Sequence, residues 1–340
     1  MRKFFSILVI AVMALSLAAC GSKPGFSSPK YSGNVMLYSS MQEDQIVAIK
    51  KGFEAKYPDI KMDYYFAGTG KVITKIAAEK QAGRVAADII WVGDPTDYMI
   101  FKEQGILAPY ISPESEAIDA AFIDPEHYYT GARMMNVGIA YNTTIVKPED
   151  APRTWNELLD SKWANQIVTT DPGSSGTMKF FVSVLMLNDK YGVTFFEKLK
   201  ANGCELESGS TATHNRVAVG AYKVGICLDY ITANMAAEGS PIGFIYPDND
   251  IVSITSPIGL VANCANEENA KLLYDFILSK EGQEILVANN LMSVRNDVKQ
   301  EGVDVDFIAS KSLKVDIAYL AKKSDEVLDA FDKIFKYTVH

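Results

Sequence analysis

Cysteine, tryptophan and histidine are scarce in this sequence: its 340 residues contain four, three and three of them. Cys204, Cys227 and Cys264 follow neither the spacing of a zinc site nor an even-numbered disulfide framework, and at most one pair of them can form. Three tryptophans are too few for an aromatic platform that binds long sugars. We therefore expect no metal site and no disulfide scaffold.

Long apolar runs are also absent after the first 20 residues. Met1, Arg2 and Lys3 give a positive start, an apolar run covers residues 4–17, and Leu17-Ala18-Ala19-Cys20 follows. The run is shorter than the ~20 residues that span a bilayer. This pattern predicts a lipoprotein signal peptide at residues 1–19, with a lipid on Cys20. Residues 20–33, rich in Gly, Ser and Pro, are predicted to form a flexible linker. We expect the mature protein in the cell envelope, at the outer face of the cytoplasmic membrane or in the periplasm.

Basic charge is the third shortage. The whole chain has 33 Lys and Arg residues and 42 Asp and Glu residues, a net charge of −9. Removal of residues 1–19 takes away Arg2 and Lys3 and brings the net charge to about −11. Binding to nucleic-acid phosphates demands a basic face, so we expect no nucleic-acid partner.

Short apolar runs alternate with longer amphipathic ones from residue 34 onward, and the same rhythm starts again past Arg133. Predicted strands cover 34–38, 60–66, 88–92, 137–141, 166–169, 224–228 and 242–246. Predicted helices cover 42–56, 71–81, 96–104, 177–189, 213–222, 231–238 and much of 266–290, with a capped helix start at 154–158. Strands alternating with helices of this size predict βαβ units with parallel sheets, an α/β fold in two similar halves.

Eight short stretches carry a resemblance to a known family. They are 35–40, 53–58, 68–72, 87–91, 138–142, 171–177, 224–230 and 278–283. In their order and spacing the chain resembles the extracellular solute-binding proteins of bacterial ABC importers. It is most similar to the branch with the ferric-binding proteins and the binders of phosphonates or sugar phosphates. The resemblance implies a two-lobed Venus-flytrap fold of the type II periplasmic binding proteins, with an N-terminal lobe of residues 34–132 and 256–340 and a C-terminal lobe of 133–255. It also implies a permease and an ATPase as partners, and a monomer.

Loops rich in Gly, Ser and Thr follow the predicted strands, where open α/β sheets place their ligands. Helix N-termini offer free backbone N–H groups to anions, glycines allow close approach, and hydroxyls add donors. An ordinary helix cap is the alternative for each loop. In the ferric relatives the Ser-Ser-Gly segment contacts a phosphate anion, which supports the same role here. The predicted anion contacts are Ser39, Ser40, Gly68, Thr69, Gly70, Ser175, Gly176 and Thr177.

The ferric alternative fits these residues poorly. The resembled iron site uses a His after the first strand, a carboxylate after the 87–91 segment and two consecutive tyrosines. This chain has Ser40 at the first place, Asp94 at the second and a single tyrosine, Tyr230, at the third. Ferric iron prefers hard anionic oxygen ligands, and too few are left.

Four further side chains are candidates for the rest of the solute. Asp94, Asp229 and His214 can bind sugar hydroxyls or an ammonium group, and Tyr230 completes the set. Capping of the next helix is the alternative for Asp229, a solvated helix start for His214 and a core position for Tyr230. Arg133, near the predicted hinge, can pair with a carboxylate or with the anion.

Enzymatic motifs are missing. The Gly173-Ser174-Ser175-Gly176-Thr177 segment lacks the last glycine of a nucleophile elbow, and Asp248-Asn249-Asp250 lacks the Gly and Glu of an EF-hand. Together with the resemblance above, the sequence predicts a lipid-anchored receptor, not an enzyme and without a cofactor. It captures a small phosphorylated solute, a sugar phosphate or an aminoalkyl phosphonate, for an ABC importer, with a ferric carrier as the alternative.

Overall fold

The computed structural model describes residues 31–300 and 302–336. The predicted signal peptide, Cys20 and most of the predicted linker lie outside these residues. The strands are β1 (Gly33–Ser39), β2 (Ile60–Phe66), β3 (Ile89–Trp91), β4 (Leu107–Ala108), β5 (Thr130–Asn142), β6 (Ile167–Thr170), β7 (Glu205–Glu207), β8 (Val224–Leu228), β9 (Ile242–Ile245) and β10 (Val252–Val261). The helices are α1 (Glu43–Lys56), α2 (Thr69–Gln81), α3 (Pro95–Glu103), α4 (Gly176–Met186), α5 (Gly192–Ala201), α6 (Ser210–Ala218), α7 (Asp229–Ala237), α8 (Glu267–Leu278), α9 (Lys280–Ala288), α10 (Val305–Lys311) and α11 (Ile317–Phe335).

All ten strands join in one hydrogen-bonded sheet of order β2-β1-β3-β10-β5-β8-β6-β7, with β4 on β10 and β9 on β5. The strands β2, β1 and β3 run parallel, as do β7, β6 and β8. The two parallel groups are joined by β10 and β5, which pair antiparallel in the middle. This arrangement confirms the predicted α/β fold with two similar halves, which we call the first lobe (around β1–β4) and the second lobe (around β6–β9).

Two long strands connect the lobes. The start of β5 pairs with β10, and its end, from Val137 onward, pairs with β8 and β9. The far end of β10 pairs with β3 and β4 after a shift of register between Ser256 and Pro257. The predicted lobe boundaries at 132/133 and 255/256 fall inside these strands. They stay a prediction, because each strand belongs to both lobes.

Helices cover both faces of the sheet, so its central strands are buried. Every residue of β3 and β8 is buried, as parallel strands between helix layers require. The C-terminal helix α11 packs against α3 of the first lobe and against α4 and α5 of the second. On α5 the ring of Phe196 meets that of Phe331 edge-on at 5.8 Å. No helix in the described part of the chain has the length and apolarity to cross a bilayer.

Two predicted helical segments differ from the observed structure. The helix start at 154–158 is a 3₁₀ turn, Trp155–Leu159, followed by a second turn at Ser161–Trp163. The long helical stretch at 266–290 is two helices, α8 and α9, because the Ser279 side chain caps α9 by accepting from the Gly282 N–H at 3.2 Å.

Candidate functional site

A cavity of about 190 Å³ lies between the two lobes. It is smaller than the roughly 300–1,000 Å³ of sites for drug-sized ligands, and it therefore suits one small molecule. The first lobe lines it with Ser40, Gln42, Phe66, Gly68, Thr69 and Gly93, and Arg133 of β5 closes the hinge side. The second lobe adds Ser174, Ser175 and Thr177, the segment 208–211, and Leu228, Tyr230 and Ile231.

Five helices have their N-cap residue at the cavity, and three of them, α2, α4 and α6, begin at loops of Gly, Ser and Thr. Gly68 is the N-cap residue of α2 and Gly209 that of α6, and neither helix has a side-chain cap. Ser175 caps α4 by accepting from the Met178 N–H at 3.4 Å. The first N–H groups of a helix have no partner within it, and the helix dipole adds positive potential there. The cavity thus receives backbone donors from both lobes, a suitable setting for an anion.

The lobes touch each other beside the cavity. A methyl group at Gly68 would lie 2.8 Å from the Ser174 carbonyl oxygen, and one at Gly70 would overlap the Gly173 carbonyl oxygen. The Gln42 side-chain amide also donates to the Thr211 hydroxyl at 3.4 Å. The structure is therefore a closed arrangement of the two lobes, and the glycines allow the backbones to meet.

Replacing Gly70 with alanine should hold the lobes apart. Relief of such an overlap costs about 1–3 kcal/mol, which corresponds to a loss of solute affinity of about 5- to 140-fold. The free protein should keep its stability, since the overlap exists only when the lobes meet. Gly173→Ala, on the other side of the same contact, is the matched control, because the atoms nearest to a methyl group there belong to Asp171 and Lys336 and lie 3.4 Å away or farther. Calorimetric titration of both variants tests this, and equal affinities would contradict it.

Arg133 is a buried cation with few partners. Its side chain is 2% exposed, and its Nε and Nη1 atoms have no hydrogen-bond partner. The guanidinium lies 5.5 Å from the centre of the Trp91 ring, and the Tyr230 hydroxyl is its hydrogen-bonding neighbour. Burial lowers the pKa of Arg133 from its usual value. Among the described residues no carboxylate pairs with it, so a charged group that lines the cavity has two buried donors without a partner.

A second buried cation joins the lobes just outside the cavity lining. Lys179 of α4 pairs with Asp97 of α3, and its Nζ atom lies 3.0 Å from Asp94 Oδ2. Asp94 also caps α3 by accepting from the Thr96 N–H at 2.8 Å. Burial and the neighbouring Asp94 raise the pKa of Asp97 to about 7, while the two carboxylates raise the pKa of Lys179 against the effect of its burial. Asp94 therefore acts here within a contact between lobes.

Half of the predicted ligand residues line the cavity and half do not. Those at the cavity are Ser40, Gly68, Thr69, Ser175, Thr177 and Tyr230. Those outside its lining are Ser39, Gly70, Asp94, Gly176, His214 and Asp229. Gly70 and Gly176 lie where the lobes meet, since a methyl group at Gly176 would come within 2.9 Å of the Thr69 side chain. The full set of ligand residues stays a prediction.

Ser39 and His214 support the residues that line the cavity. The Ser39 hydroxyl donates to the Trp91 carbonyl oxygen at 2.8 Å. On His214, Nδ1 donates to the Ser210 carbonyl oxygen at 2.6 Å and Nε2 accepts from the Leu228 N–H at 3.0 Å. The Leu228 carbonyl oxygen also lies 3.1 Å from Nε2, and burial lowers the pKa of His214, which favours the neutral ring. The imidazole thus ties the start of α6 to the end of β8.

The Asp229 carboxylate faces away from the cavity. It accepts from the Asn136 N–H at 3.1 Å, the Asn136 side-chain amide at 2.7 Å and the Tyr230 N–H at 2.8 Å. The Tyr246 hydroxyl donates to it at 3.2 Å. Burial raises the pKa of Asp229 against the effect of these donors. These contacts place the carboxylate in the packing between β5, α7 and β9.

Sequence reasoning missed the loop Ser208-Gly209-Ser210-Thr211, which lies at the cavity. The loop follows β7 and begins α6, and its Gly and hydroxyl residues repeat the pattern of the other two loops. The signal was therefore present in the sequence. Its strand, β7, has only three residues and was not predicted, so the loop was not recognised as following a strand.

Comparison with known proteins identifies related chains. The sequence profile of the family described as "Bacterial extracellular solute-binding protein" matches residues 86–322. A Haemophilus influenzae protein, named only as uncharacterized, is 27% identical over 83% of this chain and 82% of its own length. A Salmonella typhimurium periplasmic protein, whose name gives 2-aminoethylphosphonate as its provisional ligand, is 27% identical over 72% of each chain.

Solved structures confirm the predicted fold. The periplasmic binding protein AfuA of Actinobacillus pleuropneumoniae, with exogenous fructose 6-phosphate bound, superposes with a TM-score of 0.81 at 26% identity, over 91% of this chain and all of that one. The periplasmic binding protein P5PA gives 0.81 at 22% identity, over 90% of this chain and all of that one. The ferric-binding protein of Campylobacter jejuni superposes with a TM-score of 0.76 at 21% identity, over 88% of this chain and 99% of that one. The fold is the two-lobed fold of the type II periplasmic binding proteins.

Proposed function

The chain belongs to the bacterial extracellular solute-binding proteins, and we propose that it captures a small phosphorylated solute between its lobes and delivers it to an ABC importer. The solute is a sugar phosphate or an aminoalkyl phosphonate. Two relatives support this class, since AfuA holds fructose 6-phosphate and the Salmonella protein is named for a phosphonate. A permease and an ATPase are the partners that import requires.

The buried Arg133 guanidinium, which has no carboxylate partner among the described residues, is the observation that carries the proposal. A buried cation without a carboxylate partner is costly, and an anionic ligand removes that cost. The phosphoryl group would accept from Arg133, from the first N–H groups of α2, α4 and α6, and from the hydroxyls of Thr69 and Thr177. Each hydrogen bond to a charged group contributes about 1.5–3 kcal/mol. A few of them, less the cost of association, reach the ~8 kcal/mol of micromolar binding.

The ferric alternative finds less support in the same residues. Ferric-binding proteins share the fold, but their identity to this chain, 17–23% for the Campylobacter, Pseudomonas and Trichodesmium proteins, is below the 26% of AfuA. Asp94, the predicted carboxylate ligand, is held by Lys179. Tyr230, the predicted phenolate, neighbours the Arg133 guanidinium, so a ferric ion would sit close to a buried positive charge.

The proposal also includes the membrane anchor, the oligomeric state and the fate of the bound solute. We propose that Cys20 carries a lipid that tethers a monomeric receptor to the cell envelope. The receptor binds its solute without changing it, so the purified protein should release no phosphate from a bound ester.

Calorimetric titration of the mature protein with fructose 6-phosphate, inorganic phosphate, fructose and ferric citrate tests the proposed function. We expect fructose 6-phosphate to bind at micromolar concentrations and fructose to bind at least a hundredfold more weakly, because fructose leaves Arg133 unpaired. Equal binding of fructose would overturn the phosphoryl class. A stoichiometric iron charge-transfer band that disappears in Tyr230→Phe would instead establish the ferric alternative.

A further inference from the structure

The residues that line the cavity carry hydroxyl groups and one positive charge but no negative charge. Of the 17 residues that line it, nine carry a hydroxyl group, one is the cation Arg133 and none is a carboxylate. We propose that the solute has its phosphoryl group as its only charge and a neutral, hydroxyl-bearing body, so that solutes with an ammonium group are rejected. This inference rests on the proposed function and separates its two candidates, sugar phosphates and aminoalkyl phosphonates.

Sequence reasoning offered two buried carboxylates as partners of an ammonium group, but both already have other partners within the protein. Asp94 is paired with Lys179 and caps α3. Asp229 is held by Asn136 and Tyr246, on residues that do not line the cavity. Neither carboxylate can serve the solute without leaving Lys179 or these donors without a partner, which is costly for buried groups.

One further carboxylate is close enough to act on the cavity. Asp44 of α1 contributes to the raised pKa of Tyr230. It is exposed to solvent and is not among the lining residues, so water and salt screen its charge. Asp44 is therefore a weak partner for an ammonium group, and it is the position to vary if such a group binds after all.

An ammonium group in this closed cavity would meet the wrong charge. On a short solute it lies only a few ångströms from the phosphoryl group and hence from Arg133, while closure removes the water that would solvate it. Hydroxyl groups can accept its hydrogen bonds but supply no opposite charge. A solute hydroxyl, in contrast, pairs with Ser and Thr side chains as donor or acceptor. Replacing an ammonium by a hydroxyl should therefore strengthen binding.

Two matched pairs of ligands test the inference on the mature protein. The first is 2-aminoethylphosphonate against 2-hydroxyethylphosphonate, and the second is glucosamine 6-phosphate against glucose 6-phosphate. Each pair exchanges one ammonium for one hydroxyl at similar size. In whichever pair binds measurably, we expect the hydroxyl member to bind at least tenfold more tightly.

The outcomes separate this inference from the proposed function. Equal or tighter binding of an ammonium member overturns the charge inference alone. If Asp44→Asn then weakens only that member, the exposed carboxylate is its partner and the inference is still overturned. If both pairs, fructose 6-phosphate and inorganic phosphate all fail to bind, the proposed function is overturned.

Discussion

Replacing Arg133 with methionine should weaken the binding of the phosphorylated solute by roughly 30- to 4,000-fold. This range corresponds to the about 2–5 kcal/mol lost when one partner of a buried, hydrogen-bonded charge pair is removed. Methionine is of similar length and is apolar, so it fills the space beside Trp91 without supplying donors. Calorimetry with the best ligand of the titration series measures the loss.

The stability of the free protein separates a binding role from a structural one. Without solute, Arg133 is a buried charge with two unpaired donors, so Arg133→Met should leave the unfolding free energy unchanged or raise it. Arg295 is the matched control. Its side chain is also largely buried, at 8% exposed, but unlike Arg133 it is paired with two carboxylates, Glu114 and Asp297, at 2.7 Å each. Arg295→Met should lower stability and spare affinity. A loss of stability in Arg133→Met with unchanged affinity would contradict the binding role.

The parts of the fold that sequence predicted are those with local signals. Buried apolar runs located β1, β3 and β8, because a strand between two helix layers is apolar on both faces. The connecting strands lack this signal. Only residues 137–141 of β5 were predicted, since its first half contains Gly131, Arg133 and Asn136. These polar residues interrupt the pattern because Arg133 lines the cavity and Asn136 holds Asp229.

Competition between local signals explains the difference at residue 154. The expected cap forms, since the Thr154 hydroxyl accepts from the Glu157 N–H at 3.3 Å, and Glu157 accepts in turn from the Arg153 N–H at 2.9 Å. The turn then ends at Asp160, whose side chain accepts from the Lys162 N–H at 2.9 Å and starts another turn. One cap follows another too closely for an α-helix between them.

The same difference between local and long-range signals applies to the candidate site. Two of the three loops of Gly, Ser and Thr at the cavity were recognised in the sequence, because capping and free N–H groups depend on neighbours in sequence. The directions in which the acidic side chains point were not predicted. Asp97 meets Lys179 82 residues away, and Asp229 meets Asn136 across 93 residues. Such partners follow from how the lobes pack, which no local pattern contains.

Replacing Lys179 with methionine should cost about 3–5 kcal/mol of unfolding free energy, the usual result of removing one partner from a buried ion pair. Its side chain is 9% exposed and it is the cation between Asp94 and Asp97. Since Lys179 belongs to the second lobe and both carboxylates to the first, closure and solute affinity should weaken as well. Chemical unfolding and calorimetry measure the two effects.

The pH dependence identifies the cause of that loss. The pKa of Asp97 is raised to about 7 in the folded protein, above its ordinary 3.8, so the folded state holds a proton that the unfolded state releases. The stability that Asp97 contributes is therefore full below about pH 4 and is lost as the pH rises to about 7. Without Lys179 the uncompensated charge grows, and the cost of Lys179→Met should be larger at pH 8 than at pH 5. Adding Asp97→Asn to Lys179→Met should recover much of the lost stability at pH 8, because it leaves one buried charge instead of two. An equal cost of Lys179→Met at both pH values, with no recovery by Asp97→Asn, would mean that Lys179 stabilises the protein through the packing of its alkyl chain.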